Sequence, residues 1–437
     1  MLDYSGAYTG SEKFARGYRF GFFNSGGIGW LMSEENFMKN ISFIDMLKLR
    51  ASYGDIGDDN VNGRYLYLTQ WSYGGQSHMG TVGEAPERST YIWYKENELG
   101  NPNVRWEKVR KFNFGTDFSF FKGMLSGQVN IFSDKRTDVL ITGNNRAIPD
   151  YFGVAAPAAN LGIVTNKGYE VEFKFNKSIN QHWRLWGDMN FTHAKDKVIE
   201  GDSPALLPDY QKLDDKQISQ TYTHVSGGYY NTWDELYAST IHDNNDANKL
   251  PGNYHILDYN GDGLIDSKDN IPYAYPSTPQ NTYNLTLGFD WKNFSIMTQW
   301  YGVNNVTRQV VLNSFERQRN LAYYEGSYWS KDQTDADVPL PRWLATPSNY
   351  TQGSRFMYDG SYIRLKTAEI AYNLTAENNF IRRMGFQHIR IFLNGHNLLF
   401  WSKMPDDRES NYAGTGWASQ GAYPTVKRFN LGANITF

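Results

Sequence analysis

Lys111-Phe112-Asn113-Phe114-Gly115-Thr116-Asp117-Phe118-Ser119-Phe120 runs through Phe121-Lys122-Gly123-Met124 directly into a second alternating segment that starts at Leu125. Side chains of an extended chain point to opposite faces with period two. Phe112, Phe114, Thr116, Phe118 and Phe120 therefore share one face, and Lys111, Asn113, Gly115, Asp117 and Ser119 the other. Three further segments repeat the pattern. Leu47, Leu49, Ala51 and Tyr53 alternate with Lys48, Arg50, Ser52 and Gly54. Tyr169, Val171, Phe173 and Phe175 alternate with Glu170, Glu172, Lys174 and Asn176. Tyr283, Leu285, Leu287 and Phe289 alternate with Thr282, Asn284, Thr286 and Asp290. Such strands have one apolar and one charged face.

The connectors decide what the apolar face meets. Tight joints at 121–124, 176–182 and 290–294 alternate with long polar stretches at 135–160, 195–280, 304–357 and 402–422. A soluble barrel or sandwich has no reason to keep its short turns at one end, whereas a membrane barrel has short periplasmic turns and long outer loops. In lipid every backbone group must be bonded internally, so strands span only as a closed barrel. The fold class expected is all-β, an antiparallel transmembrane β-barrel with long extracellular loops. Spanning strands are predicted near 16–23, 46–54, 105–121, 124–138, 161–177, 182–196, 281–290, 294–304, 358–374, 386–400 and 422–437. Arg64–Trp71 is predicted as a hairpin arm in an outer loop. Ser33–Asn40 is predicted as a short helical turn capped by Ser33. The competing fold is a soluble β-sandwich that packs the same apolar faces inward.

Composition fits the membrane reading. The 437 residues are 40% hydrophobic and 16% aromatic, which suits interfacial girdles of Tyr and Trp. Mean hydropathy is −0.61, and no run approaches the roughly 18 apolar residues of a transmembrane helix. Only alternate residues of a barrel strand face lipid, so barrels hide their membrane character. A net charge of −3 argues against nucleic acid as a partner. The absence of Cys excludes disulfides and thiolate metal sites. Met1-Leu2-Asp3-Tyr4-Ser5 carries no basic or apolar leader, so a signal peptide is expected to be absent and the barrel to begin in mid-course. At the other end, Phe429, Leu431, Ala433, Ile435 and Phe437 share one face of a final strand, and an aromatic carboxy-terminal residue resembles the outer-membrane assembly signal.

One motif carries ligand chemistry. Asp258-Tyr259-Asn260-Gly261-Asp262-Gly263-Leu264-Ile265-Asp266-Ser267-Lys268-Asp269 matches the calcium-loop pattern at its first six positions, with Asp269 in place of the usual final Glu. The expected metal ligands are Asp258, Asn260, Asp262, the Leu264 carbonyl, Asp266 and Asp269, holding calcium or, given the shorter last side chain, magnesium. The competing reading is a metal-free Asx-rich turn. Pro251, Pro272 and Pro276 exclude the flanking helices of an EF-hand. A static clip stiffening the 195–280 loop is expected, with no sensor role.

Catalytic constellations are missing. His78, His182, His193, His224, His242, His255, His388 and His396 are scattered, and no nucleophile elbow or phosphate loop appears. Asp406, Asp407 and Glu409 read as a solvated loop cluster more readily than as a glycosidase pair. Tyr229, Tyr230, Trp233, Trp329 and Trp343 fall in outer loops, where they either stack on a sugar ligand or pack the loops themselves.

Taken with Trp106-Glu107-Lys108, Asn166-Lys167-Gly168-Tyr169-Glu170, Asn397-Leu398 and Tyr423-Pro424, the segment 47–54 with the later Gly57, and the calcium-like loop, the chain resembles the SusC/RagA family of TonB-dependent outer-membrane transporters. The matching stretches run in family order over almost the whole chain. The resemblance implies the C-terminal portion of a barrel of about 22 strands in the outer membrane of a Gram-negative bacterium. It also implies import of oligosaccharides or peptides, a SusD-like surface lipoprotein as lid, and energy from the inner-membrane TonB complex acting on an N-terminal plug. Residues 1–437 read as barrel only, with plug and TonB box absent, so this chain alone is not expected to transport. The alternative function is that of a soluble, calcium-stabilised carbohydrate-binding β protein.

Overall fold

The computed structural model describes all residues except 62, 79–87, 154, 244–245, 247–248, 310–326, 337–338, 341–352, 376–378, 384 and 405–424. A single twelve-stranded sheet dominates it. The strands are β1 (Leu2–Gly10), β2 (Phe20–Leu31), β3 (Ile44–Asp58), β4 (Glu107–Phe120), β5 (Leu125–Ile141), β6 (Ala159–Ser178), β7 (Trp183–Glu200), β8 (Asn281–Trp291), β9 (Phe294–Asn304), β10 (Tyr362–Thr375), β11 (His388–Ser402) and β12 (Arg428–Thr436). They follow one another in chain order, each antiparallel to the last, with β1 and β12 at the sheet edges.

Local chemistry sets the tight turns. Phe121, Lys122 and Gly123 take left-handed backbone angles and reverse the chain between β4 and β5. The Asn180 carboxamide oxygen accepts from the backbone N–H groups of His182 (2.8 Å) and Trp183 (3.0 Å), closing the β6–β7 turn. Lys292, with φ 49°, turns β8 into β9. All of these lie at one end of the sheet. The long connectors 59–106, 201–280, 305–361 and 403–427 lie at the other.

Register confirms the two faces. Leu185, Phe289, Ile296, Ile370, Leu393 and Leu431 are successive cross-strand partners from β7 to β12. They form an exposed apolar row; Ile370 is 52% exposed and Leu431 79%. The opposite face carries Lys174, Asp188, Thr286, Gln299, Thr367, His396 and Arg428 in equally continuous register. A sandwich would bury the first row. Apolar area on this scale, left uncovered across a sheet, marks a surface that meets something other than water. Aromatic rings mark its short-turn end. Trp183 lies 5.0 Å from Phe289 and 5.7 Å from Trp291, which stacks on Phe294 at 6.0 Å, which in turn meets Tyr372 at 4.7 Å. This is a girdle at one interface.

The buried clusters lie among the long connectors and strand ends. Phe14, Val61, Leu66, Val104, Trp106 and Ala158 form one, and Val303, Val306, Tyr362 and Met404 another.

Four sequence expectations need correction. The sheet opens with Leu2–Gly10, ahead of the predicted 16–23 strand, and the second strand starts at Phe20. Gly6 and Gly10 interrupt the apolar alternation of β1 and conceal it. The loop hairpin pairs Gln70–His78 with Arg88–Glu98, beyond the predicted Arg64–Trp71 arm. The turn after β2 is a 3-10 helix over Met32–Glu34 that starts from Leu31 without a side-chain cap, so Ser33 lies inside it. The predicted strand 358–374 divides: Met357–Asp359 pairs with Thr307–Gln309 in the loop layer, and Tyr362 begins the spanning strand.

Candidate functional site

Two regions combine polar chemistry with accessibility: the charged face of the sheet and the 201–280 connector above it. On the charged face, β3 to β7 present alternating signs that neutralise one another. The Arg50 guanidinium donates to Asp117 (3.2 Å) and to Asn130 (2.5 Å). Gln128 donates to Glu172 (2.8 Å), which pairs with Lys174 (2.6 Å). Nearer the long connectors, Arg136 bridges Glu107 (2.9 Å) and Asp58 (3.3 Å). Inward residues two apart on each strand stand in ladders, so the pleat itself brings these pairs together. This wet face is what a transport lumen requires. The alternation marked these positions as inward, but not which charges would pair.

The calcium-pattern loop is folded by its own side chains. Asp258 accepts from the backbone N–H of Gly261 (2.7 Å) and Gly263 (2.9 Å). Asn260 accepts from Asp262 (2.9 Å), and Asp262 accepts from Leu264 (3.0 Å). Gly261 and Gly263 supply the positive φ values, 71° and 86°, that the turn needs. Asp269 is fully buried and takes the backbone N–H groups of Tyr259 (2.8 Å), Asn260 (3.2 Å) and Asp266 (2.9 Å). Asp266 accepts from the backbone N–H of Lys268 (2.7 Å), which, with the Lys268 ammonium at 3.2 Å, holds its carboxyl below the usual carboxylate range. That ammonium also lies 3.8 Å from Asp262. Ile265 is fully buried and pairs with His242 in a short parallel bridge.

These contacts test the fit for a cation. Each of Asp258, Asn260 and Asp262 keeps lone pairs beyond the N–H groups it accepts. Asp269, however, is turned onto the backbone, and Lys268 takes up negative charge that a cation would otherwise neutralise. Among the described residues no three acidic or histidine side chains converge closely enough to hold an ion. The loop in this conformation is an Asx-rich turn, closed by N–H donors and one ammonium.

The loop aromatics separate into two kinds. Tyr230 and Trp329 are buried, at 2% and 5% exposure. Trp329 donates from its indole N–H to Asn231 (3.0 Å) and covers Gly252, whose φ of 89° and lack of a side chain admit the ring. Tyr229 stacks on Tyr254 at 4.8 Å and donates its hydroxyl to the Ala336 carbonyl (2.9 Å). Trp329 and Tyr229 tie the 201–280 connector to the 305–361 connector, while Tyr230 packs against Leu236 and His255 within 201–280. Trp233 differs. It is 50% exposed and stacks on Tyr237, itself 78% exposed, along a one-turn helix (Trp233–Tyr237) capped by Thr232. The sequence reading did not single out Tyr237, although spacing of i and i+4 on a helix predicts that the two rings meet. Trp343 lies outside the described residues, as do Asp406, Asp407, Glu409, Tyr423 and Pro424.

Comparison with known proteins bears directly on this arrangement. The family model described as "TonB dependent receptor-like, beta-barrel" matches residues 2–398. TonB-dependent receptor P3 of Formosa agariphila is 28% identical over 461 aligned residues, covering all of this chain and 44% of its own length. TonB-dependent receptor SusC of Bacteroides thetaiotaomicron is 23% identical, again over the whole chain and 42% of its own. The chain thus spans less than half the length of the curated relatives it matches. Among solved structures, the RagAB peptide transporter superposes over the whole chain and 46% of its own, with a TM-score of 0.68 at 19% identity, which speaks for the fold alone. With a lipid-type apolar face, a polar inner face and long connectors at one end, the chain is an outer-membrane β-barrel segment of the SusC/RagA type and belongs to the TonB dependent receptor-like β-barrel family.

Proposed function

We propose that this chain forms wall and outer loops of an importer that carries oligosaccharides or peptides across the outer membrane, energised by TonB and lidded by a SusD-like lipoprotein. The observation that carries the reading is the continuous polar face of the sheet beneath the long connectors. On this reading it gives a hydrated path beneath the outer loops. RagAB, whose fold the chain shares, is a peptide transporter. The wall itself is non-catalytic on this reading: Asp58, Glu107, Asp117 and Glu172 each pair with a cation. The test is uptake of fluorescent oligosaccharide and peptide pools by cells with and without the full-length gene, and with and without TonB. Loss of uptake of one pool in both deletions is expected. Unchanged uptake of both pools would overturn the reading. Co-purification of a surface lipoprotein with the full-length protein tests the lid, and its absence from outer-membrane extracts counts against it.

We further propose that calcium, or magnesium, tightens the 258–269 turn by displacing Lys268 from Asp262 and Asp266. Asp258, Asn260, Asp262, the Leu264 carbonyl, Asp266 and Asp269 are its donors on this reading. Chelation should then speed proteolysis within 201–280 of the native protein. Cleavage that does not change with chelator or added cation would leave the metal-free turn as the whole account.

A further inference from the structure

On β4 to β7 the apolar face of the sheet ends in cations. Phe112, Ile131, Tyr169 and Phe191 point to that face, and the period of two puts Lys108, Arg110, Lys135, Lys167, Lys195 and Lys197 on it as well. No register shift intervenes. β4 and β5 pair without a break from Lys108 to Phe120, β5 and β6 from Leu125 to Arg136, and β6 and β7 from Val164 to Ser178. All six cations are exposed and lie at the long-connector ends of their strands. One step nearer the middle of the sheet the same face carries Tyr53, Phe112 and Tyr169, which are 52%, 44% and 43% exposed. The Tyr169 ring lies 5.1 Å from His193. Aromatic residues at the edge of an apolar band sit at the level of the lipid headgroups. Two residues of extended chain then place the cations about 7 Å beyond them, on the outer side.

The register itself crowds these charges. Lys167 stands directly opposite Lys195, and Arg110 directly opposite Lys135. Lys135 and Lys197 flank Thr165 in the next row. Like charges opposite one another on a sheet are destabilising. Carboxylates answer two of them: Asp55 binds Arg110 (3.1 Å) and Asp215 binds Lys197 (2.7 Å). Among the described residues Lys135, Lys167 and Lys195 make no ion pair. The polar face of the same strands differs, since Arg50, Arg136 and Lys174 each have a carboxylate there. The outer end of the apolar face on β10 and β11 differs too. There Ile363 pairs with Trp401, at 42% and 52% exposure, and Trp401 stacks on Trp300 of β9 at 5.9 Å. The charge is a patch on β4 to β7 and not a property of the whole rim. Repulsion kept on a surface that faces away from the lumen is relieved by an anion that comes from outside the chain.

We propose that this patch binds the phosphate groups of lipid headgroups in the outer leaflet of the membrane. Lys135, Lys167 and Lys195 form its centre, with Arg110 and Lys197 at the flanks. Ammonium and guanidinium groups make charge-assisted bonds to phosphate. Long side chains that rise from an apolar surface lay their stems on it and keep their heads at headgroup level. The Arg110–Lys135 and Lys167–Lys195 pairs lie on adjacent hairpins, about 10 Å apart at the usual strand spacing. One headgroup bearing two phosphates reaches both. The inference rests on the assignment of the lipid face and goes beyond the importer reading, since it concerns the outside of the wall and not what the lumen carries.

The experiment titrates the full-length protein, purified in neutral detergent, with diphosphoryl lipid A and with zwitterionic phosphatidylcholine, and counts bound lipid by native mass spectrometry. Diphosphoryl lipid A should bind more tightly, and its advantage should shrink with added salt. Lys135→Gln, Lys167→Gln and Lys195→Gln should each weaken it about fivefold and leave phosphatidylcholine unchanged. Lys111→Gln, on the opposite face of β4, is the control and should leave the binding of both lipids unchanged. Heat-modifiable gel mobility of each variant confirms a folded barrel. Equal binding of the two lipids, Gln variants that hold diphosphoryl lipid A as the parent does, or an equal loss in the Lys111 control overturns the site. So does equally tight binding of free inorganic phosphate, which would make the patch a site for a soluble anion. None of these outcomes bears on uptake in cells, which judges the importer reading separately.

Discussion

The two ends of the sheet are built on different principles. At the short-turn end a few residues act locally: Lys292 reverses β8 into β9, Asn180 caps a turn on its own backbone, and Trp183, Trp291 and Phe294 stack side by side along the rim. At the long-connector end many stabilising contacts join residues far apart in sequence. Tyr229 reaches Ala336, Trp329 reaches Asn231, Trp106 donates to the Arg19 carbonyl, and Ser226 takes the Ser354 hydroxyl as acceptor. A membrane barrel uses lipid as the solvent for its apolar face, so its strands need no interior core. The loops stand in water and must bury apolar residues of their own, which is why the clusters of buried residues collect there.

That contrast can be broken by substitution. Asp269→Ala leaves the backbone N–H groups of Tyr259, Asn260 and Asp266 without their carboxylate acceptor. It should cost the 201–280 connector about 4 kcal/mol, seen as rapid local proteolysis of a barrel that still runs as folded on an unheated gel. If the whole barrel unfolded with it, the separation between loop layer and sheet would be wrong. Leu287→Lys, on the lipid face at mid-strand, should destabilise the barrel by about 3 kcal/mol in a denaturant titration in vesicles. Its sequence neighbour Thr286→Lys, on the polar face beside Asp188, should be nearly neutral. Equal effects at 286 and 287 would undo the assignment of faces.

Acid sharpens the comparison further. Burial, outweighing the pull of Asp243, pushes the His242 imidazole below its usual value, and burial lowers His255 likewise. The unfolded loop therefore binds protons first. Loop stability should fall as pH drops below the unfolded histidine value of about 6.5, continuing until the folded imidazoles are themselves protonated. Protease sensitivity of 201–280 should rise over that window, and His242→Gln should flatten the rise. The smallest effect is expected at the girdle. Trp291→Ala removes ring contacts with Trp183 and Phe294 and should cost about 1 kcal/mol, with no change in loop proteolysis.

The same division governs what could be read from the chain. The fold class, the tight turns and the inward and outward positions of β3 to β9 are legible because each depends on residues within one or two strands. β1 was illegible because glycines at 6 and 10 blur its alternation, and the loop hairpin was placed several residues early because its pairing is fixed by partners at 88–98. The six-residue core of the calcium pattern is visible in the sequence, yet Lys268 reaching back to Asp262 is a contact that spacing alone does not supply.

The sequence by itself determined a two-faced sheet with its loops at one end, since a period of two and the lengths of connectors are local quantities that the backbone must obey. The tertiary structure alone decided that Tyr230 and Trp329 would be packing residues while Trp233 and Tyr237 stayed exposed. Burial depends on what other segments cover. The register also shifts between β10 and both of its neighbours, at Lys366 against β9 and at Asn397 and Leu398 of β11 against β10, which no single strand records.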